Sequence, residues 1–176
     1  MARVPLLDQS DDAETQAFIE TLKKGRRGSL LGIYKALLHN PKLAGTWFQH
    51  LNAVRWETTL SGRLREILII RIGWRLDSAY IMKQHIPKLA EPEGLSAEDC
   101  RALCEEQIDA RFPQAERAAI RAADELTLGA KMTNETAALL KNSYSDRAIV
   151  EITVLIGTYN MHARFVAGLD IELEKD

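Results

Sequence analysis

Residues 63–85, reading RLREILIIRIGWRLDSAYIMKQH, constrain this chain more than any other stretch. At their centre Ile67-Leu68-Ile69-Ile70 forms an unbroken apolar run, with Glu66 at its head and His85 nineteen residues after that acid. Such a run suits a buried strand as well as a buried helix. Helix is the better reading, because segment 64–74 exceeds a normal strand and no partner strand is evident elsewhere. A helix apolar on nearly all sides has to be the central, fully packed one. An acid inside it must be paired or protonation-shifted, since burying a bare charge is costly.

The remaining segments also read as helices. Ala13, Ala17, Phe18 and Leu22 have helical spacing, after a loose arm over residues 1–10. A second helix is expected from about Ser29, carrying Leu30 to Leu38. Asn40-Pro41 starts a third, because Asn caps well and Pro suits the first helical position. Its inner face is read as Leu43, Ala44, Trp47, Phe48, Leu51 and Val54. Ser61 caps the central helix. Asp77 or Ser78 caps the next, which is expected to reach about Ala90 with a kink at Pro87. Ser96 to Asp99 resembles a capping box with Asp in place of Glu. Further helices follow Pro113, Thr133 or Asn134, and Ser145 or Asp146. Eight or nine helices on short connections predict one all-α domain spanning 1–176, a helical bundle.

Charge and composition exclude several function classes. With a net charge of −2 and scattered basic residues, the chain has no electrostatic footprint for nucleic acid or an acidic membrane. No apolar run approaches bilayer length, and MARVPLLDQSDD lacks a signal-peptide core, so a cytoplasmic location is expected. Cys100 and Cys104 read as free thiols, one buried and one half-buried. His39 and His50 have no acidic or cysteine partners at ligand spacing, so no metal site is expected.

The polar residues of the central stretch can be read in two ways. Positions 78, 81, 82, 85 and 89 share a helix face, which lets Ser78 and His85 project into one cleft with Ile81 between them. A carboxylate bonded to an imidazole fixes its tautomer and suits general acid–base work. On the other reading Glu66 pairs with Arg63, Arg65 or Arg71, and His85 is a satisfied core or interface histidine. Tyr159 and His162 form a second polar pair on the last helix.

Glu66, eleven residues, Ser78, two residues, Ile81, three residues and His85 resemble the signature of the carboxymuconolactone decarboxylase and alkyl hydroperoxidase D superfamily. There the positions of Ser78 and Ile81 are cysteines. Leu60-Ser61 with Arg63, Arg65 and Glu66 is similar to the family's lead-in. Trp74, Ser78, Tyr80, the Gly94-Leu95-Ser96 turn and the run 145–167 with Glu151 and Tyr159 resemble the branch lacking the redox cysteines. The resemblance covers roughly residues 42–172. It implies an alkyl hydroperoxidase D-like fold and a homotrimer, or a hexamer built from trimers.

Thiol peroxidase activity is not expected, because one thiolate must attack and a second resolve, and Ser78 and Ile81 can do neither. What the resemblance implies is a cofactor-free lyase, a decarboxylase, or an isomerase acting on a small cyclic or aromatic-derived acid or lactone. In that chemistry His85 delivers a proton as imidazolium and Glu66 orients it. Tyr80 or Ser78 bonds a carbonyl, Arg71 or Arg75 anchors a carboxylate, and Ile81, Trp74 and Tyr159 line the substrate site. Relatives of this branch often carry a second glutamate where Ile81 stands. That difference keeps open a catalytically silent protein binding a small hydrophobic ligand or partner.

Overall fold

The computed structural model describes residues 1–24 and 30–173, and every regular element among them is helical. The chain divides into two compact units, one comprising Met1–Ala53 and Phe165–Asp176, the other Val54–Arg164. No described helix is long and apolar enough to cross a membrane.

In the first unit, α1 (Ala13–Lys24) starts at Asp12, whose Oδ2 accepts from Thr15 N at 2.8 Å. It buries Ile19 and Leu22, with Phe18 half-buried, whereas Ala13 and Ala17 are exposed. The inward face is therefore rotated from the expected one, because two alanines offer too little apolar area to compete with Ile19. The start expected near Ser29 lies outside the described residues, and α2 runs Gly32–Leu37. The next helix, α3 (Pro41–Trp56), begins where Asn40-Pro41 places it, with Asn40 Oδ1 accepting from Leu43 N at 3.1 Å. Leu43 itself, expected inside, is exposed. Phe48 meets Phe18 and Tyr34 edge to face, the ring centres 6.4 and 5.9 Å apart. The N-terminal arm is not loose. Arg3 N donates to Leu169 O at 2.8 Å, Leu7 N to Lys35 O at 3.1 Å, and His39 Nε2 to Pro5 O at 2.8 Å. Backbone acceptors carry no residue signature, so these ties are invisible to a reading of side-chain pattern.

The second unit is built on α4 (Gly62–Arg75), capped by Ser61 Oγ accepting from Leu64 N at 3.2 Å. Every residue from Leu64 to Gly73 is buried, as a helix apolar on all sides requires. Burying each of the five aliphatic side chains Ile67, Leu68, Ile69, Ile70 and Ile72 contributes about 2 kcal/mol. Ser78 caps α5 (Ala79–His85), accepting from Ile81 N at 3.5 Å. Gly73 is needed where α5 lies against α4, since a Cβ there would meet Ile81 Cγ2 at 2.7 Å.

The α-helical stretch stops at His85, five residues short of Ala90. A π-helical turn, Ile86–Ala90, and a 3-10 turn, Glu91–Glu93, follow it. Pro87 has no N–H for the carbonyl four residues back, so the helix widens there instead of merely kinking. Gly94, at φ 82°, reverses the chain into α6 (Ala97–Ala102), which carries the expected Ser96/Asp99 capping box. The unit continues with α7 (Gln114–Gly129) and α8 (Asn134–Lys141), and with α9 (Asp146–Gly168) as far as Arg164. The core around α4 joins Ile67 and Ile70 to Leu95, Leu103, Phe112 and Ile120.

Candidate active site

Four elements of the second unit bring polar side chains into its interior: α4 supplies Arg65 and Glu66, α5 ends in His85, the last turn of α3 gives Arg55, and α9 gives Tyr159. Glu66 has no exposed surface and His85 is 6% exposed. Glu66 Oε2 accepts from His85 Nδ1 at 2.5 Å. The other carboxylate oxygen, Oε1, accepts from Arg55 Nη2 at 3.3 Å and lies 3.9 Å from Arg65 Nε. Arg55 Nη1 in turn donates to the Tyr159 hydroxyl at 3.2 Å. The Tyr159 ring stands edge-on to His85, centres 5.6 Å apart, and stacks on His162, which meets Tyr80 at 5.9 Å.

The protonation states follow from this packing. Burial works to raise the Glu66 carboxyl, but the bond from His85 and the charges of Arg55 and Arg65 outweigh it and hold the group below its ordinary value. Burial pushes the His85 imidazole below its ordinary value, and the Glu66 bond recovers only part of the fall. With Glu66 already balanced by two guanidinium groups, the imidazole has no need of a charge. It is neutral, donates through Nδ1–H, and carries its lone pair on Nε2. Chemically this is a base poised to accept a proton, not the resting imidazolium expected from sequence.

The structure brings Glu66, His85 and Tyr159 together. It uses the two arginines read as carboxylate anchors differently. Arg71 grips Asp124 of α7 with Nε and Nη2, both at 2.7 Å, and its Nη1 donates to the Leu103 and Glu105 carbonyls. Arg75 holds the same carboxylate at 2.9 Å through Nε and Nη2, and Glu106 through Nη1 at 2.7 Å. Their guanidinium groups stack on Trp74 at 4.7 and 4.6 Å. These donors are spent on tying α4 to α7. Ile81 is buried against Gly73, Ser78 serves as a cap, and Tyr80 lies on His162. Of the alternatives for Glu66, Arg65 is close, while Arg63 is bound to Glu116 and Asp99. Arg55 was missed. It lies eleven residues before Glu66 on another helix, and no periodicity links the two.

Both thiols are pushed up by burial, Cys100 further by Cys104, the opposite of what a reactive cysteine needs.

The fold and site define an all-α protein with a buried acid–imidazole pair braced by two arginines. The model of the carboxymuconolactone decarboxylase family matches residues 41–125, the stretch holding Arg55, Glu66 and His85. No curated protein sequence matches the chain. Among solved structures it is similar to an uncharacterized peroxidase-related protein from Silicibacter sp. TM1040, with 18% identity, TM-score 0.83, and 98% of this chain and 92% of that one covered. It is also similar to the debrominase Bmp8 in complex with 2,3,4-tribromopyrrole (18% identity, TM-score 0.79, 99% and 94% covered). A third likeness is to an alkylhydroperoxidase AhpD core protein from Ralstonia eutropha JMP134 (13% identity, TM-score 0.72, 99% and 93% covered). These likenesses establish the alkyl hydroperoxidase D-like fold.

Proposed function

We propose that this protein is a cofactor-free proton-transfer enzyme, a lyase or isomerase acting on a small cyclic or aromatic-derived acid or lactone. The observation that carries the reading is the buried His85 Nδ1 to Glu66 Oε2 bond of 2.5 Å, braced by Arg55 and Arg65. His85 Nε2 removes a proton from a carbon activated by a neighbouring carbonyl. The C–H electron pair moves into the conjugated system, and the resulting imidazolium is stabilised by Glu66. Returning the proton at another carbon completes an isomerisation. In a decarboxylation the imidazolium would protonate the carbon that loses carbon dioxide. Because the resting imidazole is neutral, abstraction followed by return needs no external proton, and isomerisation is the better supported of the two. The neighbour whose complex holds 2,3,4-tribromopyrrole, a small planar ring, supports a ligand of that shape.

Ile81, apolar and buried, favours a second reading in which the protein binds a small hydrophobic ligand without turnover. Screening aromatic acids and lactones for ultraviolet spectral change separates the two. Turnover abolished by His85→Gln in a variant that keeps its helical spectrum supports the enzyme, while thermal stabilisation without spectral change supports the binder. The assembly we infer is a homotrimer or hexamer, supported by the exposure of Leu128, Val150, Val154 and Met161. A sedimentation coefficient of a monomer at micromolar concentration would count against it.

A further inference from the structure

We propose that Arg65 and the hollow above Gly62 form a carboxylate subsite, occupied in this structure by the chain's own Glu93, which a substrate of the aromatic carboxylate class displaces. The inference rests on the proton-transfer reading for its substrate class, and on the geometry for the site itself. Gly62 is the first residue of α4, and a methyl group on it would overlap the Glu93 carboxylate. Glycine therefore leaves a recess of carboxylate size, and an acid from a different element fills it. Arg65 Nη2 donates to Glu93 Oε1 at 2.9 Å. The Arg65 side chain is only 7% exposed, and its Nε is buried without a hydrogen-bond partner among the described residues. Its Nη1 is anchored on the Arg55 carbonyl at 2.8 Å, so the guanidinium is fixed in place before any ligand arrives.

The gate differs from the anchor in mobility. Glu93 is 32% exposed, and rotating its side chain alone empties the recess. Beside the recess the Trp56 indole, 59% exposed, covers both guanidinium groups, 4.9 Å from Arg65 and 5.0 Å from Arg55. A flat ring bearing a carboxylate would find a charged fork for the acid and an open aromatic face for the ring. The same guanidinium reaches Glu66, so an acid held there sits one side chain from the His85 pair. Arg71 and Arg75 cannot fill this role while Asp124 holds them.

The test is calorimetric binding of benzoate, with benzamide as the uncharged control, to the full chain and to Glu93→Ala. Emptying the recess should tighten benzoate about tenfold, leave benzamide unchanged, and lose the gain when Arg65→Gln is added. Glu93→Gln, which removes the charge and keeps the shape, should give a smaller gain in the same direction and carries the test if Glu93→Ala fails to fold. Equal benzoate affinity in the full chain and the Glu93 variants, or an equal gain for benzamide, overturns the subsite and leaves Glu93 as a structural partner of Arg65. Since binding is read without turnover, failure here is distinct from failure of the His85 mechanism, which rests on the spectral assay.

Discussion

Replacing Arg55 with methionine isolates the electrostatics of the candidate site. The guanidinium lies 3.3 Å from Glu66 Oε1, and both side chains are buried. At an effective dielectric near 20 two unit charges at that separation attract by about 5 kcal/mol. The net loss should be smaller, because methionine avoids the cost of burying a cation, and His85 and Arg65 still face the carboxylate at 2.5 and 3.9 Å. About 3 kcal/mol is expected, at the low end for a broken buried pair, or roughly 6–12 °C in Tm for a chain of this size. Glu66→Gln and the double substitution complete a thermodynamic cycle in urea unfolding at pH 7. The arginine substitution should cost at least about 1.5 kcal/mol less once the charge at position 66 is gone. Additive costs would refute the claim that Arg55 holds Glu66 ionised, and would leave its bond to Tyr159 as the whole of its contribution.

Acidity gives an independent reading. The folded value of Glu66 is depressed, so its stabilisation is present above the ordinary 4.5 and is lost as pH falls through the folded value. His85 is also depressed, so the unfolded chain takes up protons first, and stability should already decline as pH drops below 6.5. If turnover is found, the acid limb of kcat/KM should lie below 6.5, and a limb above that value would remove neutral His85 as the base. Gly73→Ala forces a methyl to within 2.7 Å of Ile81 Cγ2 and should cost about 1–3 kcal/mol in chemical denaturation. Adding Ile81→Ala should recover part of that cost, and no recovery would place the strain elsewhere. Asp124→Asn should destabilise by about 3 kcal/mol by freeing two arginines while leaving the pH dependence of His85 unchanged. A shifted histidine titration by NMR would show that the α4–α7 clamp reaches the site.

The legible parts of the sequence were those with local causes. Asn40-Pro41, Ser61 and the Ser96/Asp99 box each announce a helix start through bonds within one turn, and each lies where expected. The all-round burial of α4 was legible because residues 67–70 leave no polar face to solvate. The His85 partner of Glu66 could be anticipated because both sit in one signature. Arg55 could not, because its approach depends on the end of α3, set by packing that leaves no spacing rule. The same holds for Arg71 and Arg75. Their charge was legible, but Asp124, which consumes it, lies 53 and 49 residues further along the chain. Pro87 signalled a disturbance without saying which kind, since a kink and a π-helical turn both relieve a missing donor.

That π-helical turn fixes the length of the chain between His85 and Glu93. A wide turn is one residue more than an α-helix would spend over the same rise. Inserting one further residue within 86–90 would overfill the turn and swing everything after it by about 100°. His85 would stay on Glu66, but Glu93 would leave the hollow at Gly62 and Gly94 would lose its place under the Arg63 guanidinium. Substitution of the exposed Lys88 should be tolerated better than a single-residue insertion anywhere in the stretch. The register of the connection, more than its composition, is what inheritance has to preserve.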